Sequence, residues 1–125
     1  MLNIDFLQFK EKMNFRIING KKYLFGTIRK KDLVLQPEEL VRQLIIHYLV
    51  HEKNYKQNRI SVEKQLVVNE LKKRCDILIY DSKFNPWLLI ECKAPDVSIN
   101  EKTFRQIAWY NMPLKVPFLM VSNGI

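Results

Sequence analysis

Two short apolar runs constrain this chain more than any other feature. Cys75 to Tyr80 and Trp87 to Cys92 flank the turn-rich stretch Asp81-Ser82-Lys83-Phe84-Asn85-Pro86, so they read as the paired strands of a hairpin with an apolar interior. Each run carries a charge where an apolar residue would be expected. Asp76 sits inside the first, and Glu91-Cys92-Lys93 closes the second. Because side chains alternate across a sheet, Glu91 and Lys93 share one face and Cys92 takes the other. A carboxylate beside a core is costly unless it is paired or bound to metal.

The rest of the chain supplies the layers around this hairpin. Pro37 opens a helix, with Glu38 and Glu39 at the positive end of its dipole. Leu40, Val41, Leu44, Ile45, Tyr48 and Leu49 recur at helical spacing to about residue 51. Ile60 to Val68 reads as a strand. Asn100 caps a helix from Glu101 to about Met112, whose inner face is expected to carry Phe104, Ile107, Ala108 and Asn111. Val116 to Ser122 is a final strand. Before the first helix, Phe15 to Ile18 and Lys22 to Phe25 flank Asn19-Gly20, a strong hairpin signal. Ile4 to Met13 fits either a short helix or a strand. The expected order is a hairpin, then α, β, β, β, α, β, an α/β arrangement with a mixed central sheet. Residues 1–35 form an N-terminal appendage with a basic hairpin, and residues 36–125 form the core. The sequence stops at Asn123-Gly124-Ile125 directly after a strand, abruptly enough that a C-terminal piece could lie beyond it.

Composition removes several function classes. At 125 residues the chain fits one domain. No apolar stretch is long enough to span a bilayer, and the N-terminus lacks a secretory pattern. Two cysteines, Cys75 and Cys92, make neither a disulfide framework nor a four-ligand zinc site, so a reduced, cytoplasmic protein is expected. Three glycines leave no phosphate loop, which excludes a nucleotide cofactor of the Walker or dinucleotide type. The net charge of +8 points towards a polyanion. Seven cations (Lys12, Arg16, Lys21, Lys22, Arg29, Lys30, Lys31) occur between residues 12 and 31 with no acid among them, and Lys72-Lys73-Arg74 forms a second knot. Such runs are either solvated surface or a phosphate-contacting track.

The acids discriminate between those readings. Asp76 and Glu91, together with a strand-end carbonyl such as that of Cys92, suit a hard divalent cation with oxygen ligands, Mg²⁺ above all. Lys93 can stabilise developing negative charge or orient a water. This is equipment for metal-assisted phosphodiester hydrolysis. Glu38 falls roughly 60° from the centre of its helix's apolar stripe and Glu39 roughly 160°, so Glu38 can lean over the sheet while Glu39 should meet solvent. The bland alternative is a salt bridge from Lys93 to Glu91 or Asp76. Glu-x-Lys and Asp-x-Lys also occur at Glu70-Leu71-Lys72 and Asp81-Ser82-Lys83, but in polar, turn-like surroundings.

At this combination the sequence resembles the PD-(D/E)XK nuclease superfamily. Within it, the chain looks like the N-terminal nuclease domain of type I restriction enzyme R subunits, in a small stand-alone form. The matching text is Pro37-Glu38-Glu39-Leu40-Val41-Arg42-Gln43, Val62-Glu63-Lys64, Arg74-Cys75-Asp76-Ile77, Ile90-Glu91-Cys92-Lys93-Ala94-Pro95, Gln106-Ile107-Ala108-Trp109-Tyr110-Asn111 and Val121-Ser122-Asn123-Gly124. The resemblance implies a restriction-endonuclease-like core, a mixed central sheet flanked by helices. It also implies DNA as partner, Mg²⁺ or Mn²⁺ as cofactor, and a homodimer or larger restriction or repair complex. By this likeness Asp76, Glu91, Lys93 and Glu38 are catalytic, with Glu39 the alternate helical acid. Gln106 and Tyr110 match a Gln-x-x-x-Tyr helix motif, the amide reaching either the site or the DNA backbone. Cys75 stands where the motif has proline, and the chain lacks both a motor and a target-recognition segment.

The remaining candidates have competing readings. Lys21, Lys22, Arg29, Lys30 and Lys31 are phosphate contacts if the hairpin flanks a DNA channel. Arg42 is a salt-bridge partner of Glu38 or a phosphate contact. Glu63 and Lys64 lie on opposite faces of their strand, and either could look into the site. His47 and His51 have zinc-compatible spacing but no third ligand, so a surface pair is expected. Both thiols, and Trp87 and Trp109, read as packing residues. The leading expectation is a metal-dependent nuclease-like domain hydrolysing DNA phosphodiester bonds. The alternative is a non-catalytic DNA-binding module, or an interaction subunit of a restriction or repair complex that keeps the fold.

Overall fold

The computed structural model describes residues 4–124, with the Tyr110 side chain outside the described set. A 3-10 helix, Phe6–Lys12, leads into three strands: β1 (Phe15–Ile18), β2 (Lys21–Gly26) and β3 (Lys31–Val34). Helix α1 (Pro37–His51) follows, then β4 (Ile60–Val68), β5 (Leu71–Tyr80), β6 (Pro86–Cys92), α2 (Glu101–Leu114) and β7 (Phe118–Ser122). The first three strands form an antiparallel sheet in the order β1-β2-β3. The other four form a mixed sheet in chain order, antiparallel up to β6 and parallel between β6 and β7, with α2 as the crossover.

Local chemistry explains the joints. Asn19 and Gly20 both take positive φ, the backbone a two-residue turn between twisted strands requires. Asn69 and Glu70 do the same between β4 and β5, although neither is glycine. Asp81 accepts hydrogen bonds from the N–H groups of Lys83 and Asn85, both at 2.9 Å, and this closes the β5–β6 turn. The side chain of Asn100 caps α2 through Thr103 N–H at 3.3 Å. Asn100→Ala is expected to cost about 1 kcal/mol, read from urea denaturation.

The mixed sheet has apolar cover on both faces. Ile77, Ile79, Ile90 and Cys92 pack with Leu44, Ile45 and Leu49 of α1, and that core continues into Phe6, Phe9, Met13 and Leu24 of the N-terminal segment. Leu78, Leu89 and Cys75 pack with Ile107 of α2 on the other face. The two helices thus enclose the central strands, as the apolar hairpin demanded.

Several expectations change. The segment after the Asn-Gly turn holds a third strand, because Lys31–Val34 pairs back on β2. The Phe6–Lys12 segment, open between helix and strand in the sequence, is a 3-10 helix. Helix α2 runs to Leu114 through Pro113. Its inner face is Thr103 and Ile107, whereas Phe104 is 54% exposed and Ala108 is also exposed. The helix is therefore rotated from the expected orientation, which brings Gln106 towards the sheet. His47 is buried rather than at the surface. Its ring stacks on His51 with centroids 5.4 Å apart, and its Nε2 lies 3.3 Å from Thr27 Oγ1. Burial first, then His51 and Lys12, lower its pKa.

Candidate active site

The site forms where the central strands part. The β5–β6 ladder reaches Ile77↔Ile90, and continuing its register sets Asp76 opposite Glu91. Beyond that pair, Cys92 N–H donates to Asp76 Oδ2 at 2.7 Å, so the carboxylate occupies the gap between the strands. On the other side, the β4–β5 register sets Glu63 opposite Asp76. Three carboxylates therefore stand in one row across β4, β5 and β6.

Glu63 differs from its neighbours in backbone conformation. Its φ of +49° is left-handed, in the middle of a strand, where a side chain with a Cβ is strained. No ladder pair forms at that position, although the register is intact on both sides. The inversion aims the carboxylate at cations. Glu63 accepts from Arg29 and from Arg42 Nη1, the latter at 3.2 Å, and Arg74 Nη1 lies 3.9 Å away. Burial raises its pKa, but Arg29 and Arg42 outweigh burial and the net shift is downward. Of the two residues left open on this strand, Glu63 is thus the one that joins the constellation.

Arg42 is the hub. It is 5% exposed and reaches Glu39, Glu63 and Asp76, each at 3.2 Å. Burial would lower its pKa, yet the surrounding acids, Glu39 foremost, raise it. Arg42 is therefore an ion-pair residue, but its partners are Glu39, Glu63 and Asp76 rather than the expected Glu38, and burial among them keeps it from a phosphate outside. Glu39 was expected in solvent, but its side chain is 14% exposed and also accepts from Gln43 at 3.1 Å. Glu38 is exposed, yet it lies close enough to the site to feel it. Its pKa is raised, first by desolvation and then by Asp76, while Lys93 and Arg42 oppose the shift.

Glu91 is 5% exposed, and its pKa is pushed up to about 8, first by burial and then by the neighbouring Asp76. Its Oε1 lies 3.5 Å from Lys93 Nζ, and its Oε2 is buried with no hydrogen-bond partner among the described residues. Lys93 Nζ donates to Gln106 Oε1 at 3.1 Å, and Lys93 N–H donates to Ser122 O at 2.9 Å. Asp76, Glu91, Lys93 and Gln106 therefore meet at one place, with Glu38 close enough to interact. Tyr110, expected beside Gln106, has a side chain outside the described residues. The Cys92 thiol is fully buried and held protonated by burial and by Asp76. Cys75 is likewise buried, its pKa raised by the same two causes to about 11.

The expected basic track is divided. Lys21 and Lys22 begin β2, while Arg29 and Lys30 lie past its far end, roughly 17 Å of strand away. Arg29 is committed to Glu63, and Lys30 Nζ donates to Gln57 Oε1 at 2.9 Å. Lys21, Lys22, Lys30 and Lys31 are exposed.

A buried carboxylate with an unpartnered oxygen beside a second carboxylate is the donor chemistry that a divalent cation satisfies. Among the described residues, however, no three His, Cys, Asp or Glu side chains stand together as a ready cage. The pair would need backbone carbonyls or water to complete a coordination shell. A family model, the type I restriction enzyme R protein N terminus, matches residues 37–125. The chain belongs to this family. The match begins at the first residue of α1 and takes in every element that supplies the acid row, Lys93 and Gln106. The mixed sheet between two helices is the restriction-endonuclease-like architecture. No curated protein matches the chain. Among the described residues, no helix is long and apolar enough to cross a membrane.

Proposed function

We propose that this R protein N-terminal domain is a metal-dependent nuclease-like domain that hydrolyses DNA phosphodiester bonds. The observation that carries the reading is the buried, unpartnered Oε2 of Glu91 beside Asp76, with the Lys93 ammonium 3.5 Å from the same carboxylate. Asp76 and Glu91, helped by the Cys92 carbonyl, would hold Mg²⁺, with Mn²⁺ as a substitute. When bound, such an ion acidifies water and offsets charge on the phosphate. Lys93 stabilises negative charge developing on the phosphoryl oxygens. Gln106 orients Lys93 through its side-chain oxygen, and Glu38 holds water at the mouth of the site. The exposed lysines of the first sheet (Lys21, Lys22, Lys30 and Lys31) contact DNA phosphates. Action within a homodimer or a larger restriction complex in the cytoplasm belongs to the same proposal.

Plasmid cleavage in Mg²⁺ or Mn²⁺ tests it. Lys93→Ala and Asp76→Asn are expected to reduce cleavage about a hundredfold. Asn keeps an acceptor for Cys92 N–H, so the strand gap stays closed. Equal cleavage by all three proteins would remove the mechanism.

One observation favours a second reading, a DNA-binding module that does not cut. Arg42 Nη2 already lies 3.2 Å from Asp76 Oδ1, a resident cation where the metal would bind. Calorimetric titration separates the two readings. Salt-sensitive DNA binding without Mn²⁺ binding selects the module.

A further inference from the structure

The free edge of the N-terminal sheet carries a second site that is independent of the acid row. Among the described residues β1 pairs only with β2, which leaves its other edge open, and all four of its residues are exposed. Register puts Phe15 opposite Leu24 and Ile17 opposite Lys22, all on one face. Leu24 is fully buried in the core, but the apolar face continues past it. Ile17 remains 71% exposed, and Phe15 is also exposed. There a cavity of about 540 Å³ opens, lined by Lys10, Phe15, Arg16, Ile17, Lys22 and Leu35.

We propose that this edge binds an extended acidic peptide segment of a partner protein, which adds as a strand to β1. Open main-chain groups, a pocket for alternate side chains and complementary charge are the three elements of recognition by strand addition. The main chain of β1 supplies the first. Phe15, Ile17 and Leu35 receive the apolar side chains. Lys10, Arg16 and Lys22 supply charge of one sign, and among the described residues no acid lines the cavity. Arg16 is bonded to Asp32 at 2.9 Å, yet its side chain stays 63% exposed.

The alternatives fit less well. A second copy pairing β1 to β1 would bring these same cations together, and like charges at a strand edge repel. A single nucleic-acid strand would use the cations but needs aromatic platforms for successive bases. Among the described residues Phe15 is the one aromatic in the lining, and Ile17 and Leu35 are shaped for alkyl groups.

The test is fluorescence anisotropy on the full chain at low salt. Three labelled probes are compared: a peptide alternating glutamate with isoleucine, its lysine counterpart, and oligo-dT. The acidic peptide is expected to bind, and the lysine peptide is not. Ile17→Glu and Lys10→Glu, both at exposed positions of the lining and neither assigned to DNA, should each weaken binding about tenfold or more through like-charge contact. An acidic peptide N-methylated at alternate residues should lose binding, because methylation blocks strand pairing. The melting curves of both variants should match wild type. Equal binding of the two peptides, no binding of the acidic one, or unchanged affinity of the N-methylated probe would overturn the proposal. So would tighter oligo-dT binding that the same variants abolish, or dimerisation lost in Ile17→Glu. None of these readouts depends on metal or on cleavage, so the nuclease reading stands or falls separately.

Discussion

Arg42→Ala is expected to destabilise the folded chain by about 3–5 kcal/mol, the range for removing one partner of a buried ion pair. The guanidinium touches three carboxylates, and Glu39, Glu63 and Asp76 would each lose it in one substitution. Folded domains are stable by only about 5–15 kcal/mol, so a large share of the total would go. Arg42→Lys should rescue little. An ammonium on a flexible stem does not reproduce a planar fork that reaches three acceptors at once. Urea denaturation of wild type and both variants supplies the comparison. A loss below about 1 kcal/mol would mean that the acids find water or each other tolerable, which their burial argues against.

The second large effect has the opposite sign. In the absence of divalent metal, Glu91→Gln is expected to stabilise the protein at alkaline pH by roughly 5 kcal/mol. The carboxyl titrates near its ordinary value in the unfolded chain and at about 8 when folded. Below the unfolded value both states hold the proton, and the substitution should change little. Between that value and about 8, the unfolded chain has released a proton that the folded chain keeps, so stability falls as pH rises. Above about 8 both states are ionised, and the penalty is constant. The gap between variant and wild type should therefore open across this window and then level off in thermal melts taken in chelator. A gap independent of pH would place the cost in shape rather than in charge. If the site takes Mg²⁺ or Mn²⁺, adding the ion should raise the melting temperature of wild type more than that of the variant.

Much of this site could be read from order and alternation. Asp76, Glu91 and Lys93 are conspicuous because they break apolar strands, and a sheet with period two fixes which of them share a face. The Asn19-Gly20 turn and the Pro37 helix start were legible because each rests on local backbone preference. What escaped the reading depends on contacts distant in sequence. Arg42 looks like any helical arginine until α1 lies over β5. Glu39 falls on the polar side of a helical wheel, yet Arg42 and Gln43 give it partners close to the sheet. Glu63 had a usable signal: counting equally in both directions from the Asn69-Glu70 turn sets it opposite Asp76. Its inverted backbone had none, since nothing in Val62-Glu63-Lys64 favours positive φ. The third strand was hidden because Lys31-Asp32-Leu33-Val34 is short and half charged. Phe104 misled because an aromatic residue on an amphipathic helix is ordinarily turned inward, and here Thr103 and Ile107 take that role.

The bond from Arg29 to Glu63 has a kinetic consequence. Neighbouring hairpins bring β4, β5 and β6 together through short loops, so the row of acids can assemble early. The two arginines that pair with Glu63 and Asp76 arrive from elements far back in the chain, each separated by 34 residues from an acid it binds. Closing such long loops is slow compared with hairpin formation. The nascent sheet must therefore pass through an interval in which its own carboxylates repel one another, until α1 and the β2–β3 turn dock. A polycation present during refolding would shorten that interval, whereas the same polycation given after docking would find Glu63 and Asp76 already paired with arginine.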